Sequence, residues 1–476
     1  MAAALAGLAM RLGFVRIFPS AGGDTPIYLE LARNLLDKHV FGLVRDGRMI
    51  PTDARPPGYP LFVAAVYSLA GRTDTALLVA QAILDVAGCF VIAGLAGRLA
   101  PEWCRERVTV AGLWLAALCP FLANYTAAPL TEVLAAFLSG TTMLLLVGAW
   151  QSEERAVKRC DRAGWVAAGG AAGLATLVRP ESPLLMVSAG AAIGLCCAMR
   201  RQWARITRTG VWLALGLALP LLPWAIRNEV TLGRVQFLAA RYAEMPGEYV
   251  TRGFNDWTNT WLVRFRDVYA APWKLELEPI RVSDLPAYAF DSPEERARVE
   301  TLLDEYNAEL IVSPEVDQGF AEIARERTQR HPLRTWLWVP AQRIATMWFT
   351  PRVELLPYTG QLTPLSGKWE YDREDLLVTL AMLVVNLAYL LLAAFGGWLV
   401  WKSWRQAALG ADGSALAESW GISSAGQPPG AMFLAAYLVI RTLFLTRIET
   451  PEPRYVLVCF PAVMALAAQV WRRGAN

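Results

Sequence analysis

Long apolar runs separated by short polar stretches dominate this chain, and their lengths decide how they are read. A helix needs about 17–25 residues to cross the hydrocarbon core of a bilayer. Ten stretches reach or approach that length, at approximately 2–18, 74–97, 108–123, 130–150, 163–178, 183–199, 211–226, 376–401, 431–446 and 455–471. The first carries Arg11 in its middle, so this side chain must snorkel or face other helices. Residues 57–72 (PGYPLFVAAVYSLAGR) are also apolar, but the run is short and Pro57, Gly58 and Pro60 crowd its start. That pattern predicts an interfacial helix lying along the membrane. Between 227 and 375 the spans stop. Ser292-Pro293-Glu294-Glu295 is a helix start, with Ser as N-cap, Pro in the first turn and acids on the positive dipole end. Val299, Leu302, Leu303, Tyr306 and Leu310 then fall on one face. A second helix is expected over 320–330, and 333–350 reads as interfacial, with aromatics beside Arg334 and Arg343. Segment 406–429 is rich in Gly, Ala and Ser and reads as a flexible linker.

The expected fold class is therefore an all-α polytopic membrane protein of about ten transmembrane helices. Its expected divisions are an N-terminal transmembrane module (1–226), a loop region with interfacial helices (227–375) and C-terminal transmembrane helices (376–476).

Charge orients the spans. The short loops 98–107, 151–162 and 200–210 hold three, four and four Lys/Arg residues, and the tail adds Arg472 and Arg473. The alternate loops near 124–129 and 179–182 hold none and one. The positive-inside rule places the rich set in the cytoplasm. The first loop (19–73) and the 227–375 region are then extracytoplasmic, in a cell (inner or plasma) membrane. Composition agrees: 55% of the 476 residues are hydrophobic, mean hydropathy is +0.32, and charged residues are 18%, below the roughly 25% of soluble domains. The net charge of +3 gives no sign of nucleic acid as a partner. His39 and His331 lie far apart and no Cys-x-x-Cys pair exists, so no metal site built from protein ligands is expected and no cofactor is implied. The seven cysteines fall in spans or cytoplasmic loops by this reading, and imply no disulfide framework. The N-terminal run carries Arg11 and Arg16 without an evident cleavage site before Asp24, so it reads as a span rather than a cleaved signal.

Charges at the outer ends of spans are the candidate chemistry. In GGDTPIYLELARNLL (22–36), Asp24 either caps the helix that follows or serves as a general base, and the two roles are compatible. In ARPPGYPLF (54–62), Arg55 and Tyr59 sit at headgroup depth, where an Arg contacts headgroups or grips a lipid phosphate through its planar fork. Glu132 in APLTEVLAAFL (128–138) is either a helix-start acid or faces a polar cavity. Arg179 and Glu181 close GLATLVRPES (173–182), Arg227 leaves the membrane in PWAIRNEVTLG (223–233), and Glu452 and Arg454 lie in ETPEPRYVLVCFP (449–461). Several charges at one membrane face, on helices that must pack together, point to a shared polar cavity. Of the 19 tryptophans, Trp257, Trp261 and Trp273 lie in the loop region, where aromatic faces suit sugar rings or simply build a core.

In this order the motifs resemble the bacterial members of the GT-C glycosyltransferase superfamily. The nearest group contains the protein O-mannosyltransferases and the lipid A aminoarabinose transferase (glycosyltransferase family 39 and relatives). The resemblance covers residues 22–233 and 449–461, and includes AEIARERTQRHPLRTWLWVPAQRIATMWF (321–349). It implies a GT-C-like fold and transfer of a sugar from a polyprenyl-phosphate donor to a glycan, lipid or protein acceptor at the extracytoplasmic (periplasmic) face. It also implies inversion at the sugar. The family's first-loop acid corresponds to Asp24 and its second acid to Glu132. Beside the resemblance, the need for charge and hydrogen bonds around a leaving phosphate makes Arg55, Tyr59, Arg179 and Arg454 the expected ligands of the donor phosphate. Some relatives carry two adjacent acids in the first loop; here Thr25 follows Asp24. Membrane lipids are the other expected partner.

Two other readings are open. A transporter or flippase of lipid-linked saccharides would place its polar residues near the midplane on broken helices. An O-antigen ligase or polymerase would centre its site on a large late loop with an Arg/His cluster, and 227–375 has His331 without a clear cluster.

Overall fold

The computed structural model describes residues 1–155, 161–199, 201–238, 249–409 and 428–472. Residues 410–427 of the expected linker at 406–429 and residues 156–160 of the loop 151–162 lie outside them. In chain order the helices are α1 (Ala2–Ile17), α2 (Thr25–Lys38), α3 (Gly58–Ala70), α4 (Asp74–Leu99), α5 (Arg105–Ala117), α6 (Pro120–Tyr125), α7 (Glu132–Arg155), α8 (Arg162–Val178), α9 (Leu184–Met199) and α10 (Trp203–Leu232). There follow α11 (Arg252–Thr258), α12 (Pro293–Glu309), α13 (Pro314–Arg330), α14 (Val339–Trp348), α15 (Leu365–Tyr371) and α16 (Arg373–Leu409). The chain closes with Pro428–Leu445 and the helical stretch Pro453–Arg472. The fold is thus all-α apart from one antiparallel ribbon among the described residues, β1 (Gly42–Arg45) and β2 (Arg48–Pro51).

Helix lies at all ten places where a span is expected. Among the described residues, five helices are long and apolar enough to cross a membrane: Asp74–Leu99, Glu132–Glu153, Trp203–Leu232, Arg373–Arg405 and Pro453–Arg472. The others are shorter; α1, α5 and α9 run 16, 13 and 16 residues. The run 108–123 is not one helix. Pro120 cannot donate to the preceding turn and biases Cys119 to an extended backbone, so α5 stops and α6 starts anew.

Two compact units partition the chain. One holds 1–245, 351–440 and 457–476; the other holds 246–350 and 441–456. Segment 441–456 joins the second unit because Arg343 donates to the carbonyls of Thr446 and Ile448, and Trp348 donates to Thr442 Oγ1.

In the first unit, Arg11 faces other helices. It is 1% exposed, pairs with Asp85 of α4 at 2.7 Å, and donates to the carbonyls of Gly7, Ala116 and Ala117. A charge inside an apolar bundle is tolerable only when paired and hydrogen-bonded in this way. Helices α8 and α10 pack backbone to backbone. A Cβ on Gly173 would lie 2.6 Å from the Leu217 carbonyl oxygen, and one on Gly216 would strike that of Val166. Small residues at a helix crossing permit such an approach. Gly216→Leu is expected to cost about 1–3 kcal/mol or more through overpacking, read as a lowered melting temperature in detergent. Gly190→Leu, where a Cβ meets nothing, is the control that should melt like wild type.

In the second unit, Ser292 and Ser313 cap α12 and α13, accepting from the amides of Glu295 and Val316. Their apolar faces, with Phe320 on α13, close on Phe254, Trp257 and Trp261. Trp257 and Trp261 are thus core residues, whereas Trp273 is 40% exposed. Buried Arg327 pairs with Glu295 and Asp291.

Candidate active site

The site in the first unit is built where the first loop returns to the bundle. After α1 the chain turns at Gly22-Gly23, with Gly23 at φ 59°, a value that favours glycine. Two hydrogen bonds fasten this turn to the segment before α7: the Ser20 amide to the Ala127 carbonyl (2.9 Å), and Thr25 Oγ1 to the Pro129 carbonyl (3.2 Å). Asp24 is thereby fixed at the start of α2. Its side chain makes no capping hydrogen bond, so capping is not its task. Instead Oδ1 accepts from Arg55 Nη2 at 2.9 Å. The two side chains are 32% and 19% exposed, enough to meet a ligand.

Arg55 is held from both sides of its turn. Upstream, the ribbon closes on Asp46-Gly47, both at positive φ, the two-residue turn that suits strand twist. Arg227, at the end of α10, donates to the carbonyls of Phe41 (2.6 Å) and Thr52 (2.9 Å) and lies over the rings of Phe41 and Trp224. Downstream, Pro56-Pro57 stiffen the backbone and Gly58 meets the end of α8. A Cβ there would lie 2.6 Å from the Leu177 carbonyl oxygen, so glycine is required for α3 to approach α8.

That approach brings in the second pair. Glu132, the first residue of α7, accepts from Arg179 Nη2 at 2.7 Å, and Arg179 Nη1 also reaches Glu181 at 3.2 Å. Glu132 is 1% exposed and the Arg179 side chain 9%. Tyr28 connects the two pairs electrostatically. Burial raises its hydroxyl pKa; the charges of Asp24 and Glu132 add to this, while Arg55 and Arg179 oppose it. All four charges therefore act on one buried phenol.

Tyr59 does not fit its expected role at a phosphate. It is 1% exposed, its ring packs edge-on against Tyr28, and its hydroxyl donates to Gln81 Oε1 at 2.7 Å. Gln81 in turn donates to the carbonyls of Thr126 and Ala128, so Tyr59 supports the floor of the site. Arg454 belongs to the second unit, where its Nε pairs with Glu452 at 2.5 Å; Tyr455 and Thr450 hydroxyls also donate to Glu452. The structure thus brings together Asp24, Arg55, Glu132 and Arg179 within one unit. Sequence reasoning missed Tyr28 and Gln81; Arg227, which grips the strip before Arg55, was signalled by its place where a span ends. Among the described residues no three or more His, Cys, Asp or Glu side chains are grouped to hold a metal ion. A groove of about 670 Å³ beside α5, lined by residues including Trp103, Trp114 and Trp471, contains none of these charged pairs.

Fold and site together define a multi-pass α-helical membrane protein with one acid–arginine pair in its first loop and a second where α7 begins and α8 ends. Residues 54–226 match the dolichyl-phosphate-mannose-protein mannosyltransferase family, a little over a third of the chain. That family is of the GT-C glycosyltransferase kind, as the motifs in the sequence imply. Two crystal structures of ArnT from Cupriavidus metallidurans are similar. The one bound to undecaprenyl phosphate has 14% identity and a TM-score of 0.39, over 93% of this chain and 76% of that one. The apo form has 14% identity and a TM-score of 0.40, over 94% and 77%. No curated protein matches the sequence.

Proposed function

We propose that this protein is an inverting glycosyltransferase that moves a sugar from a polyprenyl-phosphate donor to an acceptor hydroxyl at the extracytoplasmic face of the membrane. The observation that carries this reading is the half-open Asp24–Arg55 pair beside the buried Glu132–Arg179 pair. The chemistry needs a base for the incoming hydroxyl and cations for the leaving phosphate. Asp24 takes the proton as the hydroxyl oxygen bonds to the anomeric carbon. The bond from that carbon to the phosphate oxygen breaks, and the polyprenyl phosphate leaves with its electron pair. Arg55 already donates to Asp24; its fork can share a phosphate while keeping the carboxylate in place. Arg179 contributes its charge from behind, held by Glu132. Both acids stand at helix starts rather than at mid-helix breaks, which favours an enzyme over a transporter. The Lys/Arg asymmetry between short loops supports the extracytoplasmic placement. The acceptor is a hydroxyl of a glycan, lipid or protein.

Arg55→Ala is expected to weaken binding of undecaprenyl phosphate by about 1.5–3 kcal/mol if the contact is charge-assisted, with Arg55→Lys restoring part of it. Affinity measured in detergent tests this. Unchanged binding in Arg55→Ala would assign Arg55 to holding Asp24 alone and remove the phosphate from this site.

A further inference from the structure

We infer that Asp53 and Arg234 form a positioning device for Arg55, and through it for Asp24; this rests on the function proposed above. Asp53 is two residues before Arg55 and fully buried, and its Oδ1 accepts from Arg234 at 2.6 Å. Its Oδ2 is buried and takes no hydrogen bond among the described residues. A buried carboxylate is costly unless cations face it. Those cations both come from the C-terminal end of α10. Arg234 makes the direct pair, and Arg227 lies within electrostatic reach while gripping the neighbouring Thr52 carbonyl.

The device acts on a very short lever. Thr52 donates its amide to the Phe41 carbonyl, and Thr52 Oγ1 accepts from the Ala54 amide at 3.0 Å. Arg55 Nη1 donates to the Ala54 carbonyl at 3.1 Å, and Nη2 to Asp24. The strip 52–54 is thus tied to Phe41, to Arg227 and to Arg234, and Thr52 Oγ1 closes it on itself at Ala54. Beyond Arg55, two prolines and the close approach of Gly58 to α8 remove the remaining freedom. Loss of the Asp53–Arg234 pair would release the upstream anchor and let the Arg55 fork swing, because a misplacement of a positioning group by about 1 Å is enough to cost binding and rate.

The test is a double-mutant cycle in the full-length protein, read as affinity for undecaprenyl phosphate. Arg234→Ala is expected to weaken binding about five- to tenfold and Arg234→Lys to recover most of it. In an Arg55→Ala background, Arg234→Ala should change affinity by less than about twofold. Equal loss in both backgrounds would overturn the inference, since Arg234 would then act without Arg55. Arg234 is 44% exposed, so its truncation should fold; Arg234→Gln runs the same cycle if it does not. If wild type binds no undecaprenyl phosphate, the proposed function fails, and the brace is then read by hydrogen exchange. Exchange of the Thr52 and Ala54 amides faster by about tenfold in Arg234→Ala supports the brace, and unchanged exchange overturns it.

Discussion

Asp24→Asn is expected to remove sugar transfer while leaving the protein folded and able to bind its donor. A positioned base is worth about 100- to 10,000-fold in rate, and asparagine keeps the shape of aspartate but cannot take a proton. Its amide oxygen can still accept from Arg55, so the guanidinium keeps a partner. The helix start does not depend on the side chain either, because Asp24 makes no capping hydrogen bond; the Ser20 and Thr25 contacts hold the turn. Stability and turnover should therefore separate. Paired thermal-shift and single-turnover measurements check this, with donor affinity as a third readout. Near-normal turnover in Asp24→Asn would strip Asp24 of its catalytic role.

Arg179→Ala is expected to be the most destabilising substitution at the site. It strands Glu132, 1% exposed, with the negative Glu181 nearby and the main cation gone. Removing one partner of a buried ion pair costs about 3–5 kcal/mol, because the remaining charge stays desolvated. The loss should appear as a lower melting temperature in detergent and as lower yield. Neutralising both partners, Glu132→Gln with Arg179→Gln, should cost less than Arg179→Ala, since the most deeply buried charge goes with its partner and the remaining Glu181 is 15% exposed. A melting temperature for Arg179→Ala equal to wild type would show that water reaches Glu132 and that the pair is a surface feature.

Much of the architecture was legible because it is local. Apolar run length and Lys/Arg bias depend on residues near in sequence, so helix was expected where it is found, as were the Ser292 start and a helix over 320–330. The Asp46-Gly47 turn is equally local, yet the ribbon it closes was overlooked amid the helical pattern. The break at Pro120 was also written in the sequence, but an apolar run hides it.

Which charges meet was decided only by tertiary structure. Asp24 and Arg55 are 31 residues apart, Glu132 and Arg179 47, and Asp53 and Arg234 181. No periodicity relates such positions; close helix approaches at Gly58 and Gly216, where a Cβ would strike a carbonyl, set their distances. Tyr59 shows the same limit. Its place near Arg55 in sequence suggested a phosphate ligand, but Arg55 precedes α3 whereas Tyr59 lies on it, on the face packed against Tyr28 and Gln81. Arg454 lies in the other unit, because Arg343 and Trp348 draw residues 441–456 to their own core. Residue type and helix ends by themselves determined which side chains could be chemical; packing determined which of them share a site.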